Sequence, residues 1–261
     1  MGKVVRVIAV VLIVYIALPM IVVLVSSFSS GNVLSFPPTG LSLEPYGSLL
    51  SNADIRAGLV RSFIVGSMVV VFSLIAGIPA TLALYRHRVR LRPVFFGFIL
   101  LGVSTPLIAS SFAFLIIFTR LKVFGALWPI AVALAVVNLP FLMFSLISAL
   151  AQSDPQLEEA AATLGAERIQ TFLFVTLPAL MPGILSGSIM VFVLGITDFL
   201  VSLLLTTASS QTLPIVIFGS LRGPVRPIFA AASGIYVVIA LIVVLAITQL
   251  RATGQFLYRA E

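Results

Sequence analysis

The chain contains no cysteine and very little charge. Only 9% of its 261 residues are charged, and there are 8 acidic residues against 15 lysines and arginines. The absence of cysteine excludes disulfide bonds and thiolate metal sites. A soluble domain carries about 25% charged residues, so the composition argues against a soluble fold. The sequence also lacks a G-x-x-x-x-G-K-[ST] stretch, which excludes a Walker A nucleotide-binding loop in this chain.

Apolar residues make up 61% of the chain, and the mean hydropathy is +1.24. A helix needs about 20 apolar residues to cross a bilayer. Six runs are long enough, roughly 7–29, 59–85, 94–118, 127–150, 183–206 and 228–250. In lipid a helix can pair all of its own backbone N–H and C=O groups by hydrogen bonds. The alternation of apolar and polar residues that is typical of transmembrane barrel strands is absent. We therefore predict an all-α membrane protein with six transmembrane helices that form a single domain over residues 1–261.

The first run begins like a signal peptide, with Lys3 and Arg6 before the apolar residues. Its apolar part is longer than the usual h-region of about 7–15 residues. Residues 25–28 also make a poor small-residue cleavage site. We therefore expect this run to be retained as the first span.

The net charge of +7 comes from basic residues that flank the apolar runs, so we expect a lipid bilayer and no nucleic acid as partner. With six spans, both termini lie on one side of the membrane. Nine of the 15 basic residues lie on that side, including the cluster between Arg86 and Arg92. The positive-inside rule then predicts that both termini are cytoplasmic. The loop at 151–182 lies on the same side and is predicted to be cytoplasmic too.

This cytoplasmic loop has the signals of two short helices. Ser153-Asp154-Pro155 is a strong helix start, and Gly165 suits a helix end. Between them an apolar stripe has helical spacing, made of Leu157, Ala160, Ala161 and Leu164. A second helix is predicted from Glu167 to about Thr176, with a bend at Pro178. Two interpretations stay open from these residues: the helices cover the inner ends of the bundle, or a partner docks on them.

The segment from Glu159 to Pro178 resembles the EAA motif of permease subunits in ATP-binding-cassette importers. The family pattern is E-A-A, three residues, G, nine residues, and I-x-L-P. This chain has Glu159-Ala160-Ala161, then Gly165, then Val175-Thr176-Leu177-Pro178, with valine in place of isoleucine. Six spans and a chain of about this length are typical of the simpler type I permeases, so the resemblance extends over the whole sequence.

The resemblance implies a transport subunit that is not an enzyme and binds no cofactor or metal. ATP and Mg²⁺ would be bound by a dimer of separate ATPase subunits. A second permease would complete the path for the solute, and we expect a heterodimer rather than a homodimer. An external or periplasmic solute-binding protein would deliver the solute. The implied location is the inner (plasma) membrane of a bacterial cell, as a multi-pass protein.

In such importers the EAA loop docks into a groove on the ATPase. The residues that the resemblance implies for this contact are Glu158, Glu159, Ala160, Ala161, Leu164, Gly165, Ala166, Leu177 and Pro178. Our hypothesis is that Glu159 carries the contact and that Gly165 provides the bend.

Asp198 is the only acidic residue inside a predicted span. A charge near the bilayer centre costs about 2.5–3.5 kcal/mol on insertion scales, so such residues are functional candidates. Asp198 either faces the solute path or bonds to a neighbouring span. The other candidate path residues are polar groups beside it and beside two prolines, namely Thr197, Ser202, Ser104, Thr105 and Asn138. These side chains line a pathway or bond across helices.

The sequence at 197–201, 213–215 and 222–227 is similar to the second permease of the spermidine/putrescine group. Relatives of that group carry aminoethylphosphonate, ferric iron or thiamine. Polyamine-type members tend to have a second acid beside the fifth-span carboxylate and another after the third-span proline. This chain has Thr197 or Phe199, and Leu107, at those places. The expected solute is therefore polyamine-like, an aminophosphonate or a related compound.

Two other function classes compete with an importer permease. A secondary transporter or channel that needs no ATPase would show several intramembrane charges or an inverted repeat, whereas this chain has one such charge and no evident repeat. A membrane-embedded enzyme would need a cluster of catalytic residues, which Asp198 and the loop residue His87 do not supply.

Overall fold

The regular elements of the described residues are helices. A computed structural model of the chain describes residues 3–86, 92–154, 156–239 and 241–242. Ser29 and Leu41 form an isolated antiparallel bridge, and no longer strand occurs in these ranges. In chain order the helices are α1 (Lys3–Ser26), α2 (Glu44–Ser51), α3 (Ala53–Arg86), α4 (Arg92–Ser104), α5 (Leu107–Arg120), α6 (Leu127–Gln152), α7 (Gln156–Thr163), α8 (Arg168–Thr171), a π-helical turn (Phe172–Thr176), α9 (Leu177–Thr197), α10 (Leu200–Leu205), α11 (Leu213–Ser220) and α12 (Pro227–Ile239).

Four helical stretches in the described ranges are long and apolar enough to cross a membrane, by length and composition. They are Val4–Ser26, Ala53–Tyr85, Leu127–Gln152 and Arg168–Thr197, and Leu107–Arg120 and Pro227–Ile239 are shorter apolar helices. All six predicted runs therefore contain apolar helix, but not all as uninterrupted spans. Part of the predicted sixth span, the loop residues His87, Arg88 and Arg90, and Pro155 lie outside the described residues.

The third predicted span, 94–118, is divided into α4 and α5 by Pro106. The Thr105 N–H and the Thr105 hydroxyl both donate to the Leu101 carbonyl oxygen, at 2.9 and 2.7 Å, and finish the α4 ladder. Pro106 has no N–H to continue that ladder, and its ψ of 123° turns the backbone away from the helical conformation. Its own carbonyl accepts the Ala109 N–H at 2.9 Å and starts α5. The third predicted span therefore consists of two helices that meet at Pro106 rather than one uninterrupted helix.

The fifth predicted span, 183–206, begins earlier than expected and is interrupted near its end. Helical backbone runs without a break from Arg168 to Thr197, so the helix continues through Pro178, and the bend expected there stays a prediction. The chain then leaves the helix at Asp198 and resumes as α10.

The described contacts fall into two compact units. One unit comprises Met1–Val60 and Leu213–Val244, and the other comprises Arg61–Thr212 and Leu245–Glu261. The assignment of residues 1–261 to a single domain stays a prediction.

The larger unit is built on α6 packed against α9. Both helices bury apolar residues in one cluster that includes Leu142, Leu146 and Leu180. Gly183 and Gly187 let the backbones approach closely, because an added Cβ would lie 2.7 Å from the Ser145 carbonyl oxygen and 2.5 Å from the Leu142 Cδ1. Lipid is as apolar as leucine, so close van der Waals contact of this kind replaces the hydrophobic effect in a membrane. Gly183 and Gly187 form a G-x-x-x-G pair, a spacing that places two small residues on one helix face and permits such close packing.

The smaller unit has its own apolar cluster, in which Leu49 and Ile55 meet Leu213 and Ile228. The Tyr46 and Ser27 hydroxyl oxygens are 2.8 Å apart and join α2 to the end of α1. The rest of α1 is mostly exposed, since none of the residues in its most apolar window is fully buried.

Candidate functional site

The segment 151–182, which is predicted to be cytoplasmic, starts its first helix as expected from the sequence. The Asp154 Oδ1 accepts the Gln156 N–H at 2.9 Å, and the Asp154 carbonyl accepts the Leu157 N–H at 3.3 Å. A side-chain oxygen in this position satisfies a backbone donor that has no partner within the helix. Helix α7 is therefore fixed at its N-terminus by the aspartate that the sequence indicated.

Helix α7 ends at Gly165 in a Schellman motif. The Ala166 N–H donates to the Ala161 carbonyl and the Gly165 N–H to the Ala162 carbonyl, both at 3.0 Å, which is the hydrogen-bond pattern of that motif. Gly165 has φ +86° and no heavy atom within 4 Å of an added Cβ. Backbone conformation, rather than crowding, therefore requires glycine here.

Most of the apolar stripe of α7 faces outward. Leu157 and Leu164 are 55% and 88% exposed, and Glu159 and Ala160 are exposed beside them. Glu158 and the fourth stripe residue, Ala161, lie on the half-buried side of the same helix, as does Ala166 after the turn. The helix buries no residue completely. Three of the four stripe residues are thus exposed on this chain, with Leu164 at the end of the helix.

The second short helix merges with the fifth span through a π-helical turn. The Gln170 Oε1 accepts the Glu167 N–H at 3.0 Å as part of a capping box that starts α8. The Leu177 N–H then donates to the Phe172 carbonyl, five residues earlier. Pro178 follows at once and cannot donate to Phe174 in α-helical pairing. The wider turn keeps the backbone helical across the proline, so Leu177 and Pro178 open α9 in direct continuation of α8.

A side-chain hydrogen bond joins the two parts of this segment. The Thr176 hydroxyl donates to the Glu158 Oε1 at 2.7 Å, and Thr176 is fully buried. The contact connects the inner side of α7 to the residue immediately before α9. Sequence analysis missed Thr176, because it occupies the variable position of the I-x-L-P pattern and its partner is 18 residues away.

Asp198 lies at the break between α9 and α10 and is half-buried. Its Oδ2 accepts the Ser202 N–H at 2.8 Å, so the carboxylate caps the first turn of α10. No ion pair to Asp198 occurs within the described part of the chain. This hydrogen bond lies within the same span, so the two interpretations from the sequence, a carboxylate in the solute path or one bonded to a neighbouring span, both stay predictions.

The polar candidates near Asp198 have different surroundings. Thr197 is exposed, and its hydroxyl donates back to the Val193 carbonyl at 2.7 Å. Ser202 is buried in α10, which packs against α5 and α6. Thr197 and Ser202 thus lie on either side of the helix break at Asp198 in the sequence.

The other polar candidates are not hydrogen-bonded to Asp198 within the described residues. Ser104 and Thr105 are exposed at the α4–α5 break, next to Pro106. Asn138 is 7% exposed in α6, two residues before Pro140. An added Cβ on Gly102 would lie 3.8 Å from the Pro140 Cγ, so the end of α4 approaches this part of α6.

Comparisons with known proteins point in one direction. The family described as "Binding-protein-dependent transport system inner membrane component" matches residues 69–253. The spermidine/putrescine transport system permease protein PotC of Escherichia coli (strain K12) is 27% identical over 232 residues, which cover 89% of this chain and 88% of that protein. The putrescine transport system permease protein PotI of the same strain is 27% identical over 217 residues, covering 80% and 76%.

Solved structures give the same fold. A chain of a bacterial ABC transporter involved in the import of alginate superposes with a TM-score of 0.68 at 20% identity, covering 97% of this chain and 95% of that chain. A chain of the methionine ABC transporter MetNI, in an inward-facing conformation, gives a TM-score of 0.58 at 18% identity, covering 83% and 98%.

Proposed function

This chain belongs to the family of binding-protein-dependent transport system inner membrane components, the permease subunits of ABC importers, and we propose that it carries a polyamine-like solute across a bacterial inner membrane. The proposed assembly has one copy of this chain, a second permease, two ATPase subunits and a periplasmic solute-binding protein. ATP and Mg²⁺ act on the ATPases, and both termini of this chain lie in the cytoplasm.

The observation that carries the proposal is the geometry of α7. A short helix displays most of its apolar stripe to the outside and ends in a glycine turn, and the next helix, α8, runs without a break into a membrane-length helix. Exposed apolar side chains grouped on a soluble loop mark a protein contact. Leu164, at 88% exposure, is the side chain most available to an ATPase groove, and Glu159 lies beside it on the open surface.

The polyamine part of the proposal is supported by the relatives. The PotC and PotI permeases named above are described as spermidine/putrescine and putrescine transport proteins. A polyamine is a flexible cation, for which a carboxylate is a suitable partner. A carboxylate offers about four lone-pair sites, so Asp198 can cap α10 and still accept a bond from an ammonium group.

Two measurements test this function. The tagged chain is co-expressed with its neighbouring transport subunits, extracted in detergent and purified. We expect an ATPase with a Walker A loop and a second permease to copurify. The complex is then reconstituted in liposomes with the binding protein outside, and uptake of labelled spermidine, putrescine and aminoethylphosphonate is compared with and without internal ATP.

Uptake of a polyamine that requires ATP would support both parts of the proposal. Uptake of aminoethylphosphonate instead would overturn the solute assignment and leave the permease role. A homo-oligomer that transports without ATP or an ATPase would overturn the role itself and favour a secondary transporter or channel.

A further inference from the structure

We propose that the hydrogen bond between Thr176 and Glu158 is the joint that makes the coupling helix α7 and the fifth-span helix α9 move as one body. The proposal rests on the function above, because it assumes that an ATPase docks on α7. In it Thr176 is a positioning residue that acts through Glu158.

Backbone connections alone do not hold α7 in place. The helix buries no residue, and its C-terminal turn at Gly165 is held by two local backbone hydrogen bonds with no neighbour near the glycine Cα. A force applied to the exposed face of α7 would therefore be borne by this short turn. A side-chain contact on the opposite face is needed to transmit that force.

The Glu158–Thr176 bond meets this need. Its length is 2.7 Å, and Thr176 is fully buried while Glu158 is half-buried. Hydrogen bonds in which one partner is charged are about twice as strong as neutral ones, and burial of the donor makes the loss of the bond costly. The bond closes a loop of chain that contains the Schellman turn, α8 and the π-helical turn.

The two ends of the joint face different partners. Leu157 and Leu164 lie on the exposed face of α7, whereas Glu158 lies on the inner side. Thr176 is the last residue before α9, and α9 is held against α6 at Gly183 and Gly187. A displacement received by Leu164 thus passes through Glu158 to Thr176 and into the membrane helix.

The joint can be tested by measuring whether α7 and α9 keep a fixed separation. Because the chain has no cysteine, spin labels attach in it only at introduced sites, here Gln156→Cys in α7 and Leu185→Cys in α9. The distance between the two spin labels is measured by double electron–electron resonance in the assembled transporter, first without nucleotide and then with ATP and vanadate. We expect one narrow distance that ATP leaves unchanged in the wild-type background.

Thr176→Val removes the hydroxyl at nearly constant shape, and we expect it to broaden or shift this distance when ATP binds. Thr176→Ser restores the donor and should restore the narrow distance. The matched control is Thr163→Val, because the Thr163 hydroxyl bonds only within α7, to the Glu159 carbonyl at 2.8 Å. The same chemical change there should leave the distance as in the wild type.

Coupling is read from the ATP consumed for each spermidine molecule taken up. We expect Thr176→Val to keep its ATPase subunits and to raise this ratio about tenfold, the effect of losing one hydrogen bond to a charged group. Glu158→Ala should do the same, and the double variant should be no worse than either single one, since each change removes the same hydrogen bond between the two side chains.

The outcomes separate the two proposals. If no ATPase associates with the wild-type protein, the proposed function fails. If ATPases associate and Thr176→Val keeps the narrow distance and the wild-type ratio, the joint is overturned and the function stands. Additive effects of Glu158→Ala and Thr176→Val would also overturn the joint, because they would show that the residues act separately.

Discussion

Gly183 of α9 lies directly against the backbone of Ser145 in α6. A Cβ at Gly183 would be 2.7 Å from the Ser145 carbonyl oxygen and 2.8 Å from the Ala149 Cβ. Neither is the end of a flexible side chain, so neither moves without displacing a helix. The contact therefore sets how closely the two most extensively packed helices of the larger unit approach.

Gly183→Ala is expected to destabilise the protein by about 1–3 kcal/mol, the usual cost of overpacking a filled interior. The measurement is thermal unfolding of the purified protein in detergent. Gly219→Ala is the control, because an added Cβ there meets nothing within 4 Å and alanine favours helix more than glycine does. Equal melting temperatures for the two variants would contradict the close contact.

Gly165→Pro is expected to abolish association with the ATPase, because proline cannot adopt the φ of +86° that ends α7. Gly165→Ala should weaken association less, since the left-handed conformation costs a residue with a Cβ roughly 1–2 kcal/mol. Gly165→Asn should be the mildest of the three. Copurification of the ATPase ranks these variants, and a proline variant that binds and transports normally would count against docking at this loop.

Leu164→Ala tests the exposed tip of α7. The side chain touches little in this chain, so we expect unchanged thermal stability and affinity for the ATPase reduced about tenfold, as at an interface anchor. Leu50→Ala removes an exposed leucine from α2 and should change neither quantity. The affinity is measured by titrating the purified ATPase onto the permease in detergent, and identical binding of both variants would exclude Leu164 from the contact.

Asp198→Asn separates the cap of α10 from a role in transport. The asparagine side-chain oxygen can still accept the Ser202 N–H, so stability should be retained, whereas Asp198→Ala should lose about 1 kcal/mol with the cap. If the carboxylate meets a cationic solute, the asparagine variant should take up spermidine more slowly despite its normal melting temperature. Transport at the wild-type rate and affinity would leave Asp198 with a structural role alone.

The orientation of the chain can be tested with single cysteines, because none is present naturally. We expect Leu41→Cys to react with a membrane-impermeant maleimide in intact spheroplasts. Gln156→Cys should react only after the membrane is permeabilised. The opposite pattern would place α7 outside the cell and refute the positive-inside assignment.

Local signals predicted both ends of α7 in the segment 151–182. Asp154 and Gly165 act through backbone groups within five residues of themselves, so their types and spacing were enough to place both ends of α7. The apolar runs likewise predicted helices, because a helix forms its backbone hydrogen bonds within the run itself and needs no distant partner.

Features that depend on a distant partner were not predictable from the sequence. Nothing near Glu158 indicates that its side chain turns inward to Thr176. The break at Asp198 contains neither glycine nor proline, and it is held by a carboxylate that bonds to the backbone four residues ahead. The π-helical turn before Pro178 depends on how the Phe174 carbonyl avoids the proline ring. Hydropathy and the spacing of apolar residues do not indicate this local adjustment.

The bare surface of α1 has a consequence for which substitutions that helix can accept. None of the residues in its most apolar 18-residue window is buried against the rest of the chain. Packing within this chain therefore does not require a particular order of side chains in that window. If lipid alone surrounds the window, any arrangement of its valines, isoleucines and leucines would serve equally well. The test is a variant in which the residues of this window are shuffled at constant composition. If the variant inserts normally but no longer supports assembly, a neighbouring subunit contacts specific side chains of α1.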